Sequence, residues 1–207
     1  MIMQRLLCLV FPGERRSRTA VIGEATLLLF LIAWSWSYFC IPVVALGFDP
    51  GWMHNVHLVI HEAGHAITAM VTDSRVPVVF MGSGFQVMFP LFIAGAFYFV
   101  NHDAYGAALG LWWTGHSTLD VAPYIGDSRA LQLPLLTGGT GAEVEGHDWE
   151  FLLGHWNALE HDTEIAAWVA LAGRTLMIVV FLWAISVLIF EGFMLRGEAE
   201  PASPENG

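Results

Sequence analysis

The chain contains no lysine, only two cysteines, and charged residues at 13% of its 207 positions. Each scarcity excludes a class of protein. With eight basic residues against nineteen acidic ones and a net charge of -11, there is no basic surface to lay along a phosphate backbone, so nucleic acid is excluded as a partner. Cys8 and Cys40 stand far apart, one near the start and one in the first apolar run, so neither a disulfide framework nor a thiolate metal site is available. Any metal must therefore be held by nitrogen and oxygen. The segment from Met1 to Pro12 shows no small-residue cleavage pattern before the basic run Arg15-Arg16-Ser17-Arg18, and it reads as a retained cytoplasmic segment lying at the interface.

What the chain has in abundance is apolar surface. Hydrophobic residues make up 56% of it, far from the usual balance of a soluble domain and suited to a bilayer. A span takes about 20 mostly apolar residues, so the length allows four to six spans, in one domain over residues 1–197, and no large soluble domain. The clearest span covers residues 25–48, after four arginines that set its start on the cytoplasmic side. A second apolar segment, 52–71, carries four histidines and a glutamate and must face the protein interior, because ionisable groups at membrane depth are costly unless paired or coordinated. Residues 76–87 have β-branched and aromatic residues around Gly82-Ser83-Gly84, the composition of a short β-hairpin. Spans at 87–100 and 104–121 follow as a tight antiparallel pair, and a last span covers 176–193.

The expected architecture is therefore an all-α membrane bundle of about five transmembrane helices, with a β-hairpin between the second and third. Residues 122–163 read as an excursion outside the membrane, with one helix starting near His147. Drawn with five spans, Arg75, Arg129 and Arg174 fall on the side of the amino terminus, and the acidic tail, 198–207, falls opposite and disordered. The expected location is an integral, multi-pass membrane protein with a cytoplasmic amino terminus.

The strongest chemical signal is His61-Glu62-Ala63-Gly64-His65. Two histidines four apart on a helix lie about 40° from each other and can grip one ion together, with Glu62 beside them. A zinc ion held this way acidifies its bound water, and the carboxylate can take the proton and pass it to a leaving amine. A catalytic zinc needs a third protein ligand, and the stretch from Ser117 to Asp127 offers two acids, Asp120 and Asp127, flanking Pro123 at the membrane edge. His54 and His57 continue the histidine stripe, as groups at a membrane interface or as outer supports of the site.

This pattern, an H-E-A-G-H segment in an apolar helix followed by an acid near a later span, resembles the site-2 protease family of intramembrane zinc metalloproteases. The resemblance covers residues 52–129. It implies Asp127 as third ligand and Asp120 in the substrate-positioning role of the family's asparagine. The spacing is one residue short, and Gly126-Asp127-Ser128 stands where the family has leucine, aspartate and glycine. It also implies hydrolysis of a peptide bond in a membrane-associated protein, with an extended substrate beside the edge of the 76–87 hairpin.

Alternatives remain open at this level. Asp127 is equally an interface aspartate pairing with Arg129, Asp148 a helix cap or, with His147, the completion of the zinc site, and Arg174 a boundary residue. Nine histidines also suit a membrane di-iron oxygenase or desaturase, and a non-catalytic membrane binding protein fits the same residues. The substrate and the oligomeric state are not legible.

Overall fold

A computed structural model describes residues 16–136 and 138–199. The expected interfacial segment before residue 12 and the tail beyond 199 lie outside them. The described chain is helical: α1 Arg18–Cys40, α2 Val43–Phe48, α3 Trp52–Ala69, α4 Arg75–Gly95 running into a π-helical turn Ala96–Val100, α5 Ala104–Gly126, α6 Asp148–His155, a 3-10 turn Leu159–His161, and α7 Asp162–Ala199.

Three stretches are long and apolar enough to cross a membrane: Arg18–Cys40, Arg75–Val100 and Leu159–Leu195. Their outward faces carry Leu29, Phe30, Trp36, Phe92, Phe99, Trp168 and Leu182, all exposed. Large apolar side chains in such numbers on the outside suit contact with lipid rather than water. Polar groups are instead gathered inside, on α3 and α5.

α5 is the central helix, with most of its residues buried between α4 and α7. Its contact with α7 is made through glycine. A Cβ on Gly173 would lie 2.7 Å from the Gly115 carbonyl oxygen and 2.8 Å from the Leu119 nitrogen, so the two backbones touch directly. Close approach of this kind is how apolar helices associate where no hydrophobic force separates helix from surroundings. α3 packs chiefly on α4 and meets α5 only over a short stretch.

The helix ends are sealed by charge. Arg174, in the middle of α7, donates to the carbonyls of Tyr38 at 3.1 Å and Ile41 at 2.6 Å, satisfying acceptors left free where α1 ends. It is an internal cap for the end of α1. At the other end of α1, Arg16 pairs with Glu24, with Asp103 ahead of α5, and with Glu191 near the end of α7 at 3.2 Å. The start of α1 and the far part of α7 therefore share one end of the bundle, where the five-span layout set the start of the first span and the end of the last at opposite ends. Arg75 and Arg129 fall at the other end.

The β-hairpin expected at 76–87 is also corrected. The segment is the first half of α4, and it offers no strand edge along which an extended substrate would pair. In apolar surroundings a backbone must satisfy its own hydrogen bonds, which favours helix over the β-propensity of Val76, Val78 and Val79. The Gly-Ser-Gly sequence serves packing and not turning. A Cβ on Gly64 of α3 would lie 2.1 Å from the Met81 carbonyl oxygen, and one on Gly82 would lie 2.4 Å from the His65 ring.

These contacts generate a stability prediction. Gly173→Ala should lower stability in detergent by about 1–3 kcal/mol through overpacking, although alanine is the better helix former. Gly23→Ala, where a Cβ meets nothing within 4 Å, should not. Thermal unfolding of the two variants followed by circular dichroism checks this.

Candidate metal centre

His61 and His65 project from one face of α3 toward α4, where Gly82 leaves room for both rings. The third group to reach them is Asp148, the first residue of α6. α6 is fixed in three ways. His147 caps it, its Nδ1 accepting from the Glu150 amide at 3.1 Å. Trp149 donates its indole N–H to Ser83 Oγ at 3.0 Å, and the Asp148 amide donates to the Tyr124 hydroxyl oxygen at 3.0 Å. Asp148 is thus carried to α3 from 83 residues away in the chain.

Three atoms meet there. His61 Nε2 lies 2.9 Å from Asp148 Oδ2, His65 Nε2 lies 3.1 Å from the same oxygen, and the two ring nitrogens are 3.0 Å apart. Their protonation follows from what lies behind them. His65 Nδ1 is 2.8 Å from the Val78 carbonyl oxygen, which only accepts, so the proton sits on Nδ1. His61 Nδ1 is 3.2 Å from Gln86 Oε1, also an acceptor, because the Gln86 amide nitrogen donates to Asp120 at 3.0 Å. Both imidazoles in their neutral form therefore present bare Nε2 lone pairs. Burial pushes the Asp148 carboxyl up, but whenever His61 or His65 carries a proton on Nε2 its hydrogen bond holds that carboxyl below the usual carboxylate range.

Three lone-pair donors in mutual contact repel one another. One proton satisfies one side of the triangle, whereas a divalent cation satisfies all three. The dimensions fit. Atoms so spaced lie about 1.7 Å from their common centre, close enough together that His61, His65 and Asp148 would hold one ion at the usual distance of about 2.0–2.2 Å. Two imidazoles, one carboxylate and no sulfur is a donor set that suits zinc. Among the described residues no other group of three such donors lies as close together.

The three residues line a cavity of about 410 Å³. Glu62 lines it from the exposed side of α3, with Tyr124 and His54. Ser83, Gln86, Asp120 and Glu145 add further polar lining, and the apolar part of the wall is formed by Leu46, Phe48 and Leu58 and by Leu133 to Leu136 of the loop after α5.

Not all the residues expected at the site reach it. Asp127 does not join His61 and His65: its two oxygens accept from the amides of Gln132 and Leu133, each at 2.9 Å, and it holds the loop that covers the cavity. His147 Nε2 stands 3.5 Å from Asp127, and burial pushes that imidazole down, which suits its neutral capping role. Nor does Asp127 pair with Arg129, which binds Asp162 at 2.6 Å. Asp120 does not join His61 and His65 either: it borders the same cavity with its side chain only 6% exposed. His54 Nδ1 lies 3.1 Å from both its oxygens and His57 Nδ1 3.1 Å from one, so these histidines face an internal carboxylate and not a membrane surface. Asp148, which the sequence offered as a helix cap or a partner in the zinc site, occupies the third corner. Gln86, Tyr124 and His116 carried no motif. A lone amide within an apolar run was the only signal for Gln86, and His116 is buried among Trp34, Tyr38 and Trp112.

No family model, no curated protein and no solved structure matches the chain.

Two outcomes follow for zinc binding, measured by competition with a chromophoric chelator. Asp148→Asn should weaken binding by more than about a hundredfold, beyond the usual loss of an outer support, while Asp127→Asn should leave it unchanged. Gly82→Ala, which retains all three donors, should also weaken it, because the new Cβ would lie 2.4 Å from the His65 ring and 2.6 Å from His61 Nε2.

Proposed function

We propose that the protein is an integral membrane zinc metallopeptidase that hydrolyses a peptide bond of a membrane-associated protein, a small member of the site-2 protease kind. The observation that carries this reading is the convergence of His61, His65 and Asp148 on one point, with Glu62 on the cavity that point faces. His61, His65 and Asp148 hold the ion. Zinc bound there supplies Lewis-acid polarisation and an acidified water. Glu62 is the general base, taking a proton from the attacking water and returning it to the leaving amine. The Tyr124 hydroxyl, whose oxygen accepts from the Asp148 amide, keeps its own proton for an oxygen in the cavity. The apolar walls hold the side chains of an unwound segment and limit water to the polar corner.

In this reading α1, α4, α5 and α7 cross the bilayer and α3 lies within it, leaning on α4. This replaces five full spans by four and a partial one. The basic run at the start of α1 sets that end on the cytoplasmic side, and Arg75 and Arg129, at the opposite end, are too few to reverse it. The metal centre, near the start of α4 and of α6, then lies toward the far leaflet. A single cluster of three donors among the described residues favours one hydrolytic ion over the paired irons of an oxygenase. Turnover separates the enzyme from a binding protein with the same residues.

The test uses the full chain in lipid vesicles with quenched-fluorescence apolar peptides. Zinc-loaded protein should cleave, a chelator should stop cleavage, and added zinc should restore it. Glu62→Gln should retain zinc and lose about 10²–10⁴-fold in rate, the usual contribution of a general base. Undiminished turnover by that variant refutes the role of Glu62, and absence of cleavage by zinc-loaded wild type refutes the peptidase reading.

A further inference from the structure

We infer that Gln86 and Asp120 are positioning residues for the metal centre: they fix the His61 proton on Nδ1 and so keep Nε2 bare, without touching the ion. This rests on the metal-binding reading of His61 and His65, and it replaces the substrate-positioning role expected of Asp120.

The argument starts at the carboxylate. The Asp120 side chain borders the cavity but is only 6% exposed, and its oxygens already face His54, His57 and Gln86. The His57 ring has one orientation open to it. Its Nε2 accepts from the Trp113 indole N–H at 3.1 Å, which leaves the proton on Nδ1, 3.1 Å from Asp120 but without the alignment of a hydrogen bond. An ionised carboxylate accepts and never donates. Gln86, itself buried on α4, must therefore turn its amide nitrogen to Asp120, because the reversed amide would set two acceptors 3.0 Å apart.

That choice propagates. With the nitrogen facing Asp120, Gln86 Oε1 faces His61 Nδ1 at 3.2 Å and takes its proton in a hydrogen bond. An unconstrained imidazole carries its proton mainly on Nε2, the form that cannot ligate through that atom, so the amide selects the minor tautomer in advance. A buried charge on α5 thereby prepares a ligand on α3 through a neutral side chain on α4. His65 reaches the same state by a different route, through the Val78 carbonyl, and serves as an internal control.

The test is nitrogen-15 NMR of histidine-labelled, zinc-free full-length protein in detergent, with His61 assigned by its loss in His61→Ala. Wild type should show His61 protonated at Nδ1. Gln86→Met should move the proton to Nε2 and weaken zinc binding by about 10–100-fold, the usual cost of losing an outer support, with His65 unchanged. Gln86→Glu, whose acid form donates to Asp120 and still offers a carbonyl oxygen to His61, should retain the wild-type tautomer and most of the affinity. Asp120→Asn, whose amide no longer forces the direction of Gln86, should give a mixture of the two forms. The inference is overturned by a wild-type His61 protonated at Nε2, or by Gln86→Met leaving tautomer and affinity unchanged. It is overturned as well if Gln86→Met disturbs His65 together with His61, since that marks a general structural role. A wild type with the expected tautomer that binds no zinc upholds the arrangement of His61 and sinks the hydrolytic reading instead.

Discussion

Two imidazole nitrogens and a carboxylate oxygen, all with lone pairs forward and about 3 Å apart, repel one another unless positive charge lies between them. The surrounding structure is organised to hold them there regardless. Val78 and Gln86 fix both rings from behind, Tyr124 and Ser83 pin the helix that carries Asp148, and His147 caps it. Such an arrangement makes sense as a binding site prepared for a cation, with the cost of assembling like groups met in advance by the fold.

The bundle supplies that assembly through close backbone contact. Gly82 sits directly beneath the two rings and Gly64 lets α3 rest on the α4 backbone, so the ligand helix lies nearer to its neighbour than any other residue pair allows. Gly115 and Gly173 do the same for α5 and α7, which fixes the depth at which Asp120 stands. In surroundings where apolar side chains gain nothing by leaving lipid, packing and internal hydrogen bonds hold helices together. The same low polarity explains why Arg174 is spent on the end of α1 and why Asp120 is surrounded by donors.

How much of this the sequence disclosed depended on distance along the chain. His61, Glu62 and His65 were legible because one helical turn brings them together, and helix periodicity is a local property. Asp148 was legible only as one of several acids, since its approach depends on the fold of the whole excursion after α5. Asp127 was chosen by alignment to a family pattern, whereas its oxygens are taken up by two backbone amides, a demand that no side-chain motif announces. The hairpin was misread because valine and glycine have β-like statistics in water, while an apolar environment rewards the helix and uses glycine for contact. Gln86 and His116 lay in runs whose apolar neighbours concealed them.

The central claim is that two imidazoles and one carboxylate bind a single zinc ion. X-ray absorption at the zinc edge on the purified full-length protein tests it most directly. The account predicts about one zinc per chain in a shell of nitrogen and oxygen at about 2.0–2.2 Å, with the outer-ring scattering of two histidines and no sulfur. A sulfur shell, a single histidine, or protein that holds no stoichiometric metal after equilibration with zinc would contradict it.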